Sequence, residues 1–473
     1  MKDYKMNYKK VRNNLILTFS AQATSILANF VLNIITPRYI SEYQYAYWQT
    51  FILYLSYVGI LHFGLLDGLV LRYSQYDYDE LDKQEIRSQF YALLLMNTIC
   101  SFILISISSV IMSGVNKKIF LLVAIGIITK NIYTYNSYTF QITNRIKLYA
   151  FLIIAQRLIY GFVVVVLLLL RVDNWMWYCI ADLLGDLAGI VACCTVNREI
   201  CFGNSLSINK AIKITWESIS AGIKLLVATW ASMFLVGSAK MIIQWRWDEL
   251  VFGKVSFAFS IMALFMTFIN AISVVLFPIL KRMKEEDLPN LYSRIRGVLS
   301  PLLIVLLSLY FPGCMILKLW LPKYIMSLQI LSILLPSVIY TSKVNLLTSN
   351  YLKAYRKETV LLIINLSTII ISFGTFLLFA FVFNSLNAII IATLAGIAIR
   401  SIASEIVVSR LIGVSLLKDH IAELIITIIF IICANINKTY IGFIVYFSIA
   451  LVYTLLNSKL IMSFFNKVSI NKS

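Results

Sequence analysis

Charge is scarce in this sequence. Only 13% of its 473 residues are Asp, Glu, Lys or Arg, while 60% are hydrophobic and the mean hydropathy is +0.85. Soluble proteins carry about twice that charge over a smaller apolar share. A shortage on this scale excludes a soluble globular chain and makes lipid the solvent for most of it. Histidine is scarcer still. His62 and His420 are the only two, and neither is expected to have a metal-ligand partner at helical spacing. The seven cysteines are odd in number and show no disulfide framework; they read as small apolar packing residues. A phosphate-cradling loop is missing too. Gly253-Lys-Val-Ser256 lacks the upstream glycine and the right last residue, so direct nucleoside triphosphate use is excluded. Asp77-Tyr-Asp79 imitates a glycosyltransferase metal motif, but its short spacer cannot hold a nucleotide-sugar domain, and it reads as a solvated charge run.

What the chain has in abundance is apolar runs long enough to span a bilayer, which takes about twenty residues. Fourteen are expected, near residues 14–36, 46–69, 89–112, 119–140, 149–170, 175–196, 216–243, 251–279, 298–317, 325–347, 359–383, 387–409, 420–436 and 440–462. The first is preceded by Lys9, Lys10 and Arg12, as a signal peptide would be. It is too long for one, and Pro37-Arg38-Tyr39 is no cleavage site, so it is expected to be a retained helix.

The net charge of +19 sits in spacers between these runs rather than on a basic domain, which argues against nucleic-acid binding and for contact with anionic lipid headgroups. Of the 41 Lys and Arg, 26 fall at the termini and on the same side as them, against 9 on the other side. The positive-inside rule therefore puts both termini in the cytoplasm. Six cations remain inside expected helices: Lys130, Arg157, Lys224, Lys240, Lys343 and Arg400. A Lys or Arg at mid-helix costs about 2.5–3.5 kcal/mol on insertion scales, so each needs a partner, water or a ligand. Lys130, Arg157, Lys224, Lys343 and Arg400 are candidates to line a water-filled cationic cavity that would hold an anionic headgroup. Internal ion pairs and snorkelling are the other readings of the same residues.

Asp182 and Asp186 lie four apart on one face of the sixth helix, with Gly185 and Gly189 interleaved as a small-residue stripe. They are expected either to couple transport to a cation or to neutralise Lys130 or Arg157. Asp67 is expected to pair with Arg72. Thr18, Gln22, Ser25, Asn29 and Thr36 form a polar stripe on the first helix, which must face protein or water; Gln22 and Asn29 are candidates to line a path. Aromatic clusters at Tyr39–Trp48, Trp175 and Trp177, Trp245 and Trp247, and Trp320 and Tyr324 are expected to anchor helix ends at the outer interface. Pro278, Pro301, Pro312 and Pro336 place the expected bends in the second half, Pro278 reading equally as a helix-end proline. A faint repeat is also present: Lys130-Asn-Ile-Tyr-Thr-Tyr-Asn-Ser-Tyr138 and Lys343-Val-Asn-Leu-Leu-Thr-Ser-Asn-Tyr351 share a Lys-to-Tyr offset and are each followed by a basic pair.

Four stretches carry a family likeness: Gln22 with Thr36-Pro-Arg-Tyr-Ile40; Tyr57 to Tyr73 around Gly64-Leu-Leu-Asp67-Gly; Phe252 to Ser260 running on to Phe277-Pro-Ile-Leu-Lys-Arg282; and Trp320-Leu-Pro-Lys-Tyr324 with Leu331 to Pro336. In this order they resemble the polysaccharide-biosynthesis or O-antigen flippases (Wzx-type) of the MOP superfamily, which also holds the MATE exporters. The resemblance implies an all-α membrane protein of about fourteen transmembrane helices. A six-helix bundle over residues 1–200 and a second over 201–412 would be related by a parallel pseudo-repeat. Two additional helices and a short cytoplasmic tail would follow over 413–473.

The resemblance further implies alternating-access transport of an undecaprenyl-diphosphate-linked oligosaccharide, an O-antigen or capsule repeat unit, across the cytoplasmic membrane. Lys130, Lys224, Lys343 and Arg400 would hold the diphosphate. No enzyme activity and no cofactor are implied, and a polysaccharide polymerase and a chain-length regulator are the implied protein partners. The first helix lacks the Arg-Asp pair of the lipid II flippases, which argues against a peptidoglycan precursor as cargo. Two alternatives stand: a cation-coupled exporter of small molecules, and a membrane polysaccharide polymerase or ligase. The latter needs a large external loop that the spacers do not supply.

Overall fold

A computed structural model of the chain describes the backbone of residues 23–282 and 288–458, and the side chains of all of these but 268 and 270–282. Every regular element among them is helical. The first helix, α1, runs from 23–30 through a π-turn at Val31–Ile35 to Thr36–Tyr39. There follow α2 (Glu42–Leu55), α3 (Leu65–Tyr73), α4 (Lys83–Ile111), α5 (Gly114–Ile142), α6 (Ile146–Leu169), α7 (Trp175–Val196), α8 (Ile208–Arg246), α9 (Glu249–Arg282), α10 (Leu288–Leu307), α11 (Tyr310–Trp320) and α12 (Ile325–Leu334). The thirteenth, α13, joins Ser337–Lys343, a π-turn at Val344–Thr348 and Ser349–Ala354; then come α14 (Glu358–Leu377), α15 (Leu386–Ile412), α16 (Leu417–Ala434) and α17 (Thr439–Leu456). Ten helices among the described residues are long and apolar enough to cross a membrane, or up to twelve if each of two bent pairs is one span. The chain is an all-helical multi-pass membrane protein.

The apolar runs locate the helices closely; the run expected at 175–196 is α7 to the residue. They do not show where a span breaks. The run at 46–69 is α2, a 3-10 turn at Val58–His62, and α3, bent by 52°. The break falls at Phe63 and Gly64, whose φ angles of 51° and 90° are both left-handed. Glycine adopts that region freely; phenylalanine does so at a cost its surroundings must meet. The run at 325–347 is broken between α12 and α13 by 49° at Pro336, which cannot donate to the preceding turn. Only the second break was signalled by proline.

The aromatic clusters divide between lipid and core, which corrects the reading of all of them as interfacial belts. Tyr39, Tyr43, Trp177 and Trp245 are exposed, whereas Tyr45, Trp48, Trp175 and Tyr324 are buried. Trp48 lies 5.9 Å from Tyr45 and 5.5 Å from Tyr178, so these rings tie α2 to α7. Aromatic rings pack together at such spacings as readily as they anchor to headgroups, and sequence position does not distinguish the two.

The chain forms two compact units, Met1–Trp230 and Ala231–Ser473. In the first, α5 packs against both α4 and α7. In the second, α15 packs against α12, α13 and α14. Within the first unit α3 meets the early part of α8 almost backbone to backbone. A Cβ added at Gly68 would lie 1.9 Å from the Ser218 carbonyl oxygen, and one at Gly222 would lie 2.1 Å from the Gly64 carbonyl oxygen. Arg72 closes this seam, donating to the Ile214 carbonyl at 3.0 Å, to Ser218 Oγ at 2.7 Å and to Glu217 at 2.9 Å. The expected Asp67–Arg72 pair is therefore corrected: Arg72 turns to Glu217 and Glu85, and Asp67 lies 4.0 Å from His62 Nε2.

Overpacking a seam this tight costs about 1–3 kcal/mol. Gly222→Ala is expected to lower the unfolding temperature of the detergent-solubilised protein by several degrees. Gly161→Ala, whose new methyl would meet nothing within 4 Å, is expected to leave it unchanged. Thermal unfolding followed by fluorescence checks both.

Candidate functional site

Helical spacing aligns three sets of polar residues in the second unit. Tyr292, Arg296 and Ser300 repeat every four residues on α10; Asp419, Glu423 and Thr427 do so on α16; Tyr340 and Lys343 share a face of α13. These faces converge on Glu405 of α15. Lys343 Nζ lies 2.6 Å from Glu405 Oε2 and 2.5 Å from Glu423 Oε2. Arg296 reaches Glu405 Oε1 at 2.9 Å, Glu423 Oε1 at 3.2 Å and Asp419 Oδ2 at 3.1 Å. Tyr292 donates to Glu405 Oε1 at 3.1 Å and Ser300 to Glu423 Oε1 at 2.9 Å. The side chains of Lys343, Glu405 and Glu423 are 0% exposed and that of Arg296 5%. Every oxygen of the two buried carboxylates is thus engaged. This is a closed ion network, and Lys343 opens onto no solvent within it.

A smaller cluster occupies the first unit. Lys130 on α5 lies 3.1 Å from Asp182 Oδ1 and 2.9 Å from Asp186 Oδ2, both on α7, and Gln156 of α6 donates to Asp186 at 3.1 Å. The small-residue stripe permits this approach: a Cβ at Gly189 would lie 2.8 Å from the Tyr133 ring, and one at Gly185 would lie 3.1 Å from the Gln156 carbonyl oxygen. The acids are nearly sealed at 6% and 1% exposure, whereas Lys130 keeps 26%.

Arg400, on the buried face of α15, differs from both lysines. Its Nη1 donates to the carbonyl and hydroxyl oxygens of Ser232 at 2.9 and 3.0 Å, its Nε has no partner, and no carboxylate pairs with it among the described residues. Lys224 is exposed on α8 and Arg157 half-buried on α6; neither joins an ion pair among the described residues. Asn29 is half-buried in α1, where its carbonyl accepts from Asn33 Nδ2 at 2.9 Å. Gln22 lies outside the described residues.

The sequence puts Asp182 and Asp186 on one face and offers Lys130 as one of two cations for them, but does not single out Gln156, Arg296, Glu405 or Glu423. Arg296 was grouped with a basic spacer, yet it lies inside α10. Glu405 and Glu423 each interrupt an apolar run, in Ile402-Ala-Ser-Glu405-Ile-Val and Ile421-Ala-Glu423-Leu-Ile, and an acid so placed calls for a buried cation as surely as Lys343 calls for an acid.

The chain is a polytopic membrane protein whose fold superposes on those of MOP-superfamily transporters. The lipid II flippase MurJ, in an inward closed conformation, superposes with a TM-score of 0.68 over 96% of this chain and 99% of its own, at 13% identity. An inward-facing multidrug resistance MATE family transporter does so at 0.62, over 84% and 98%, with 12% identity. A MOP superfamily transporter from Pyrococcus furiosus, described by the reverse polarity of its binding pocket, reaches 0.51 over 85% and 95% at 10% identity. No family model matches the sequence, and no curated protein matches it. The similar structures are transporters, not enzymes.

Removing one member of a buried ion network leaves the other charge uncompensated, at a cost of about 3–5 kcal/mol. Lys343→Ala is therefore expected to destabilise the protein severely, and Arg157→Gln to have no comparable effect. Unfolding temperature and the monodisperse fraction in detergent measure the difference.

Proposed function

We propose that this chain is a flippase. It carries an undecaprenyl-diphosphate-linked oligosaccharide, an O-antigen or capsule repeat unit, across the cytoplasmic membrane by alternating access, with both termini in the cytoplasm. The observation that carries the proposal is the likeness to the lipid II flippase along nearly the whole of both chains. In this reading the two spans that complete fourteen are α1 and α16. The latter carries Lys418, Asp419 and Glu423 in its first two turns before becoming apolar.

The cationic ligands for the diphosphate divide by their neighbours. Lys130 and Lys343 are already neutralised by two carboxylates each, and we assign them to holding helices together. Arg400 is the group that an anion would complete. A guanidinium held, among the described residues, only by a carbonyl and a hydroxyl retains donors for phosphate oxygens, and Arg–phosphate pairing is strong and directional. Lys224 and Arg157 supply further positive charge, and Gln22 and Asn29 polar contacts to sugar. A bare diphosphate could not cross hydrocarbon unaided, since burying such charge without partners is prohibitive.

A second reading, a cation-coupled exporter of small molecules, draws on the likeness to the MATE family transporter and on the Asp182–Asp186 pair. Under it a cation would displace Lys130 from the two acids.

In a strain lacking this chain, Arg400→Gln is expected to reduce surface glycan at least about tenfold, as losing about 1.4 kcal/mol or more of ligand binding would. Protein level should be unchanged, and single lipid-linked repeat units should accumulate on the inner face. Normal glycan export by this variant, measured by gel and by radiolabelled sugar lipids, would rule out the assigned role of Arg400. Restored drug resistance with no change in glycan would favour the exporter.

A further inference from the structure

Among the described residues the ion network of the second unit is one positive charge short once Asp419, at its 40% exposed rim, is counted with the two buried carboxylates. Arg296 and Lys343 stand against Glu405, Glu423 and Asp419. Beside them is His420 of α16, one of only two histidines in the chain. It is 5% exposed, and its Nδ1 lies 3.3 Å from Glu405 Oε2. That distance is short enough for an ion pair, yet in the present geometry neither ring nitrogen makes a hydrogen bond. A buried imidazole without hydrogen bonds is costly unless a further proton or partner completes it. The same residue lines a cleft of about 560 Å³ between the ends of α15 and α16, with Ile406, Arg410, Gly413, Leu416 and Ile421. His420 therefore touches an opening on one side and the buried network on the other.

We propose that His420 is a proton-binding site, loaded through the cleft between α15 and α16, whose imidazolium completes the charge of the buried network and competes with Lys343 for Glu405. The proton adds to an imidazole nitrogen, and Nδ1–H then donates to Glu405 Oε2. Lys343 holds that oxygen at 2.6 Å. Two cations sharing one carboxylate oxygen weaken the hold of each. Lys343 is the last residue before the π-turn of α13, the helix already bent at Pro336, so the loosening arrives at an irregular point of a bent span.

The groups that face the ring are accounted for on every helix packed about it. Among the described residues they are Arg296 of α10, Lys343 of α13, Glu405 of α15 and Glu423 of α16 itself, with Arg410 of α15 in the same cleft; Tyr292, Tyr340, Asp419 and Tyr453 lie beside the same carboxylates and Arg296 rather than against the ring. A metal ion suits this place less well than a proton. Each oxygen of Glu405 and Glu423 already accepts from Arg296 or Lys343, so a metal ion would have to displace one of them to gain a carboxylate ligand. Protonating the ring vacates no oxygen.

The consequence for transport rests on the flippase reading, but the site is tested without any cargo. Histidine-labelled protein carrying His62→Gln reports a single imidazole by NMR in lipid nanodiscs. The expected result is a transition of His420 from neutral to cationic between about pH 8 and pH 5, the range in which histidine switches. Its midpoint should fall by about 1–3 pH units in Glu405→Gln, as loss of an adjacent opposite charge requires. Asp419→Asn, at the half-exposed rim of the network, should lower it less and keeps the test open if Glu405→Gln fails to fold. A ring that stays neutral throughout overturns the proposal, and so does a midpoint unmoved by the folded variants. If sodium chloride, matched in ionic strength by choline chloride, shifts the His420 signal as acid does, the site takes a metal cation and the proton assignment fails. Glycan export lost through Arg400→Gln leaves every one of these results standing, so the two failures are distinguishable.

Discussion

Ionised side chains at bilayer depth must find opposite charge, and the arrangement of helices in both units follows from how they do so. In hydrocarbon a lone ammonium or carboxylate costs several kcal/mol. A fold that brings such groups together from different helices recovers that cost only when the helices are correctly placed. Lys130 draws α5 onto α7, and Lys343 with Arg296 draws α10, α13, α15 and α16 onto one point. Apolar packing between helices in lipid is weakly selective, because acyl chains are as apolar as leucine. The ion clusters therefore supply geometric specification that van der Waals contact alone lacks.

Set beside them, the incompleteness of Arg400 acquires meaning. The fold provides two carboxylates for Lys130 and two for Lys343, and for the guanidinium of Arg400, among the described residues, the oxygens of Ser232. Glu405 lies five residues further along the same helix but is directed to Arg296 and Lys343. Among the described residues Arg400 is thus a buried cation without a carboxylate, and in the proposed flippase reading this is where an anion would bind. Ligand sites are commonly the places where local rules are left unsatisfied.

Much of the helical layout was legible in the apolar runs, because the twenty-residue requirement of the bilayer is a strong and simple constraint. The Asp182–Asp186 face and its glycine stripe were legible for a similar reason: a four-residue spacing has one geometric meaning on a helix. The break at Phe63–Gly64 was not, because hydropathy is blind to backbone dihedrals and no proline marks it. Arg72 was assigned to the wrong acid because sequence proximity offers Asp67, while Glu217 comes from a helix more than a hundred residues away. The second-unit network lay hidden for the same reason. Glu405 and Glu423 have no cation at helical spacing that answers them; their partners are supplied by packing.

The two lysines that the faint repeat aligned do the same work, each bound between two carboxylates, but the source of those carboxylates differs. Lys130 takes both from α7. Lys343 takes one from α15 and the other from α16, the helix that follows the last of the repeat. The late helices are therefore more than a membrane anchor appended to a finished unit. Glu423 makes α16 a member of the network, and with it come the exposed edge of Asp419 and the imidazole of His420. The Lys130 cluster of the first unit takes both its acids from a few turns of one helix, α7. The second leaves its cluster one cation short, at a cleft, beside a bent span, and this asymmetry is where a chemical signal from outside the helices can enter the fold.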